Sequence, residues 1–122
     1  MSHNSFENLD VWQMSKDLVL EIYRVTKDFP KEESYGIIPQ IRRAALSVPA
    51  NIAEGSGRYH YLDRVKFYLN ARGSLYELKS HLLIARELGY LKTEGGIFSR
   101  IEDLSVRLNN LILATRKLGE EK

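Results

Sequence analysis

Six basic side chains crowd the middle of the chain: Arg42, Arg43, Arg58, Arg64, Lys66 and Arg72, with Tyr59, His60 and Tyr61 interleaved. Arginine pairs bidentately with phosphate, and aromatic rings stack on unpaired bases, so these residue types suit a surface for RNA or DNA. Adjacent residues on a helix point about 100° apart, so Arg42 and Arg43 need not share a ligand. One of them can instead form an ion pair with Glu54 or with an acid of the first helix. The tyrosines can equally cap the core where two helices meet. Both readings stand at the level of sequence.

A second pattern overlaps the first. Gln40, Arg43, Ser47, Asn51, Glu54 and Arg58 are separated by 3, 4, 4, 3 and 4 positions, which places them on one face of a helix. A solvated face is usually rich in Lys and Glu. This one carries short hydrogen-bonding side chains with Ala44 and Ala50 beside them, a chemistry that suits contact. Arg43, Asn51 and Glu54 are therefore expected to be at least partly buried, at a helix–helix contact or between subunits, within a polar network. The bland alternative is local surface pairing of Arg43 and Glu54.

Catalytic and cofactor chemistry finds little footing. Gly55 and Gly57 do not complete a dinucleotide fingerprint and follow a helix rather than a strand, and no phosphate-loop sequence occurs. Glu77 and His81 stand at i, i+4, but no second Glu-x-x-His pair accompanies them, and the inward positions are Leu, Ile and Ala. No nucleophile–base pair stands out. The expectation is a protein that is not an enzyme and has no metal or cofactor.

The elements that must position these residues read as four helices, at about 8–27, 38–54, 62–88 and 94–118. In helix 1, Val11, Met14, Leu18, Ile22, Val25 and Phe29 form one stripe, with Trp12, Val19 and Tyr23 beside it, and Pro30 stops the helix. Helix 2 meets Pro49, which removes the hydrogen bond to the carbonyl of Ala45 and should kink the helix, unless Ser47 caps a fresh start. Gly55 and Gly57 are its stop signals and Gly89 is that of helix 3. Helix 4, capped by Thr93, carries Ile97, Ile101, Leu104, Leu108, Leu111, Thr115 and Leu118 at steps of 4 and 3, the spacing of coiled-coil-like packing. No strand alternation or repeat occurs. The fold class is all-α, an antiparallel up-and-down four-helix bundle with helix 2 kinked at Pro49. The broad apolar arcs of helices 1 and 4 exceed what one bundle core absorbs and point to a homo-oligomer. Gly73, in the middle of helix 3, fits a close approach by another helix or plain tolerance.

A chain of 122 residues fits one domain, spanning 1–122. There is no cysteine, which fits a reducing cytoplasm. The N-terminus lacks the layout of a signal peptide, and no apolar run approaches the ~20 residues of a membrane span. The expected location is therefore cytoplasmic, without a membrane partner. The net charge of +2 is distributed unevenly: residues 1–38 carry −3, residues 39–91 carry +4 and residues 92–122 carry +1. That asymmetry permits a positive patch, and it equally permits helix 1 to dock electrostatically on its neighbours.

The pieces FP-x-x-E-x-YG (Phe29, Pro30, Glu33, Tyr35, Gly36), QIRRA (Gln40 to Ala44), NIAEG-x-GR (Asn51 to Arg58) and ARGSL-x-EL (Ala71 to Leu78) carry a resemblance over most of the chain. It resembles the 23S rRNA intervening-sequence proteins, small bacterial four-helix bundles, some of them encoded within intervening sequences of ribosomal RNA genes. The resemblance implies a homopentamer. It also suggests ribonucleoprotein association. A more distant relative, the accessory protein of diversity-generating retroelements, is a basic pentamer that works with a reverse transcriptase. Two functions follow as expectations: a non-catalytic oligomer that binds RNA or DNA through its basic surface, or an interaction scaffold for a nucleic-acid enzyme. Tyr59, His60 and Tyr61 depart from the family pattern, which is usually more polar and Ser-rich there.

Overall fold

Each apolar stripe forms a helix whose ends fall close to the sequence signals. The computed structural model describes residues 5–92 and 96–121. It contains α1 (Asp10–Thr26), α2 (Ile37–Ser56), α3 (Tyr61–Glu87) and α4 (Ile97–Glu120), with short 3-10 turns at Phe6–Asn8 and Lys31–Glu33. No strand occurs among the described residues. The expected cap Thr93 and start Glu94 of helix 4 lie outside the described residues; α4 begins after Gly96, whose φ of 82° is a conformation that glycine adopts freely.

The end of α3 is a Schellman arrangement. Gly89, also at φ 82°, follows the last turn. Its N–H donates to the Arg86 carbonyl at 3.0 Å, and the Tyr90 N–H donates to the Ala85 carbonyl at 2.9 Å. α2 ends differently from the expectation. It runs through Gly55 to Ser56, and only Gly57 acts as the C-cap. Gly55 is buried, and a Cβ there would lie 2.9 Å from Phe67 Cβ and 2.9 Å from Tyr68 Cε1. Its missing side chain lets α3 approach; it does not stop the helix. α2 also continues on both sides of Pro49, so Ser47 is an interior helical residue and caps no fresh start.

The four helices share one aliphatic core. α2 packs on α1 and α3, and α4 packs on α3 and α1. Ile22, Ile41, Val48, Ile52, Leu75, Leu78, Leu82, Ile101, Leu104 and Leu108 are buried at its centre. The seam of α4 follows the expected spacing as far as Leu108, shifts by one residue to Ile112, and returns to the expected position at buried Thr115. Ile112 is buried, Leu111 is only half-buried, and Leu118 is exposed near the helix end.

The surplus apolar surface falls on α4 as expected, but on α1 it is smaller than expected. The second stripe of α1 is largely absorbed: Trp12 packs edge-on against Phe6 at 5.2 Å, and Tyr23 lies under Arg42. Leu20 remains exposed on α1, whereas α3 exposes Leu62, Tyr76 and Ile84, and α4 exposes Val106 and Leu113. No helix among the described residues is long and apolar enough to cross a membrane.

Candidate nucleic-acid interface

The connection from α1 to α2 is built around one carboxylate. Gly36 precedes α2 and has no side chain to cap it. Glu33 does so instead, its Oε1 accepting from the Ile37 N–H at 3.1 Å. Its other oxygen accepts from the Tyr90 hydroxyl at 2.8 Å, and the Tyr90 ring rests on buried Phe29 at 5.5 Å. The Glu33 hydrogen bond, then burial, then the charges of Glu33 and Glu32 raise the Tyr90 pKa above its ordinary value. A Cβ on Gly36 would meet Glu33 Oε1 at 2.5 Å. The FP-x-x-E-x-YG segment is thus a latch between the α1–α2 connection and the end of α3. Tyr35 takes no part in it and is almost fully exposed.

The polar stripe of α2 divides into three. Its centre meets α3: the Ser47 and Ser74 hydroxyls lie 2.8 Å apart, and Asn51 donates to the Ser47 carbonyl and hydroxyl at 2.9 and 3.0 Å. The ends face solvent on the single chain. Arg43 is exposed and donates to Gln40 at 3.2 Å, and Glu54 is exposed and pairs with Arg58 at 3.0 Å. Of the three residues expected at a helix–helix contact, Asn51 is partly buried but bonds only to Ser47 on its own helix, and the bond that crosses to α3 is Ser47–Ser74. Arg43 and Glu54 form no such contact within the chain, because α2 turns only the middle of that face toward α3.

The six basic residues do not form one patch. Arg42 turns toward α1, with its guanidinium 4.4 Å from the Tyr23 ring centre and its Nε donating to Thr26 Oγ1 at 2.9 Å. Arg43, its neighbour, faces out, the divergence that helical spacing requires. Arg72 reaches α4 and donates to Asn109 Oδ1 at 3.0 Å. Arg58 and Arg64 stay together where α2 turns into α3, whereas Lys66, two positions beyond Arg64 on the same helix, points to another face. The Arg58 guanidinium stacks on Phe67 at 4.5 Å, and that of Arg64 stacks on Tyr61 at 5.1 Å. Arg64 Nε donates to the Arg58 carbonyl at 2.7 Å. Lys66 is exposed. Tyr59, His60, Tyr61, Leu62 and Arg64 line an open recess there, closed on one side by Gly119 from the end of α4.

Two participants at this corner were not legible beforehand. Phe67 serves as the platform for Arg58, and Gly119 is a wall of the recess: a Cβ there would fall 2.9 Å from Leu62 Cδ2. Both depend on how the helix ends meet, which no local spacing encodes. Glu77 and His81 make the surface contact their spacing suggested, at 3.2 Å. Asp10 of α1 meets Arg107 of α4 at 2.6 Å, one contact through which the acidic first helix docks on a neighbour.

Four helices around an aliphatic core, with polar chemistry confined to outer faces and one corner, define a small all-α protein. The family model described as 23S rRNA-intervening sequence protein matches residues 7–113, and the chain belongs to that family. None of the curated proteins compared with it matches.

Proposed function

We propose that this chain is a non-catalytic homo-oligomer that binds RNA or DNA through the corner between α2 and α3. The observation that carries this reading is the grouping there of Arg58 and Arg64, each laid on an aromatic ring, with exposed Tyr59 and His60. A stacked guanidinium is held in place and loses little freedom on meeting a phosphate. Oligomerisation is supported by Tyr76 on α3 and by Val106 and Leu113 on one face of α4, at 50%, 59% and 61% exposure. A ring of five is the stoichiometry the family resemblance implies. We read the bundle as antiparallel, from its short connections, with α2 bent at Pro49 and the protein acting in the cytoplasm.

The test is the native mass of the assembly with and without RNA, joined to RNA and DNA binding measured across salt. Phosphate contacts predict affinity that falls as salt rises from about 50 to 200 mM. Arg64→Ala should weaken every nucleic acid alike. An oligomer that binds neither RNA nor DNA at low salt is instead the interaction scaffold for a nucleic-acid enzyme. A monomer at micromolar concentration overturns the assembly.

A further inference from the structure

We infer that the α2–α3 corner takes an unpaired nucleotide, stacking its base on the open face of Tyr59, and is not built for a duplex. The inference rests on the nucleic-acid reading above and names the substrate class of that same site. Three features carry it.

Tyr59 is 87% exposed, so the core gains almost nothing from its ring. Its one aromatic neighbour is His60, which meets it edge to face at 5.0 Å. An edge-to-face contact leaves ring face open, and an open ring face is what a base requires. A duplex hides its base faces within its own stack and offers nothing to such a ring.

The cations are too few and too local to track a duplex. Arg42 and Arg72 are spent on Thr26 and Asn109, at opposite flanks of the bundle. What remains at the corner is Arg58 and Arg64, with Arg58 paired to Glu54 and with Asp63 in the first turn of α3. Those two carboxylates damp the attraction for phosphate. Charge alone is therefore a weak handle, and stacking must supply the rest. Of the Arg64 nitrogens, Nε is occupied by the Arg58 carbonyl; its two terminal nitrogens have no acceptor among the described residues. They are the donors best placed to hold the phosphate of a stacked nucleotide.

The recess also fits one nucleotide. Tyr59, His60, Tyr61, Leu62 and Arg64 surround it, and Gly119 closes it on the α4 side. Aromatic walls, an apolar floor and a single arginine suit a flat ring carrying one negative group.

The experiment uses the full-length chain and two fluorescein-labelled RNAs, a single-stranded oligouridylate of about 10 nucleotides, within the usual span of such sites, and a blunt hairpin without unpaired ends. Anisotropy at low salt should show the oligouridylate bound more tightly than the hairpin. Tyr59→Ala should weaken oligouridylate binding about tenfold and leave the hairpin unchanged, while Tyr59→Phe should retain binding. At 87% exposure the Tyr59 substitutions leave the fold intact, as circular dichroism checks. Equal affinity for the two RNAs, or an unchanged oligouridylate affinity in Tyr59→Ala, overturns the inference and leaves the nucleic-acid reading standing. No binding to either RNA overturns both.

Discussion

Gly55 and Gly73 both lie inside helices, and replacing each by alanine should change stability in opposite directions. Alanine is the better helix former by about 1 kcal/mol, and that gain applies at either site. At Gly73 nothing lies within 4 Å of a built Cβ, so the gain is unopposed. At Gly55 the new methyl meets Phe67 Cβ and Tyr68 Cε1 at 2.9 Å and the Arg64 carbonyl oxygen at 3.1 Å. Phe67 Cβ and the Arg64 carbonyl belong to or adjoin the α3 backbone, so no side-chain rotation relieves the contact. α2 and α3 must separate instead, loosening the Ser56–Tyr68 hydroxyl contact of 3.1 Å and the Arg58–Phe67 stack. Overpacking of this kind costs about 1–3 kcal/mol, which outweighs the helix gain. The expectation is a net loss of about 1 kcal/mol for Gly55→Ala and a gain of up to about 1 kcal/mol for Gly73→Ala, relative to the unsubstituted chain. For a chain of this size 1 kcal/mol moves Tm by roughly 4 °C. Thermal and urea unfolding, followed by circular dichroism at one protein concentration, reads both. If Gly55→Ala is as stabilising as Gly73→Ala, the close approach of α2 and α3 at Gly55 is wrong.

Glu33→Ala removes the cap of α2 and the acceptor of Tyr90, and should cost about 1–2 kcal/mol in urea unfolding. The fold holds the Tyr90 proton more tightly than the unfolded chain does. Its contribution is therefore complete below the ordinary value of 10.0 and is lost as pH rises through the higher folded value. Tyr90→Phe should abolish that alkaline component, and an unchanged high-pH titration of stability would refute the latch. Arg43→Ala should leave stability within about 0.5 kcal/mol, as for any exposed side chain, as Lys92→Ala does. If native mass spectrometry shows that it breaks the assembly, the outer end of the α2 stripe lies between subunits. Val106→Glu together with Leu113→Glu should lower the assembly mass while helical content stays unchanged; an intact assembly would place the seam elsewhere.

What the sequence made legible was whatever depends on neighbours three or four residues away. The four helices appear within a few residues of their expected bounds because apolar spacing and the stops at Pro30 and Gly89 act locally. The inward turn of Ser47, which meets Ser74, and of half-buried Asn51 beside it followed from their face. Other features were hidden because they join distant residues. Glu33 and Tyr90 are 57 positions apart, and Arg72 and Asn109 are 37 apart. Whether an arginine is free for a ligand depends on such partners, which is why Arg42 and Arg72 read as surface cations and prove to be tied to neighbouring helices. The same reasoning explains why α1 exposes less apolar surface than expected. The width of the α1 arc was readable, but Phe6 and Arg42, which cover part of it, come from other elements.

The segments that mark the family turn out to do architectural work. Phe29, Glu33 and Gly36 form the latch; Asn51 holds Ser47, which bonds to Ser74 across the α2–α3 contact; Gly55 sets how closely those helices approach; Ala71, Leu75 and Leu78 fill the core. Membership in the family is therefore a statement about packing, and it says little about a ligand. The exposed chemistry at the corner comes largely from Tyr59 and His60, which lie outside those segments and are free of packing duty. A substitution in the latch should act on stability first, with binding lost only as the fold is lost. A substitution at Tyr59 should act on binding alone. That separation follows from where each residue sits, and it makes the corner the place where this chain can differ in function from others that share its bundle.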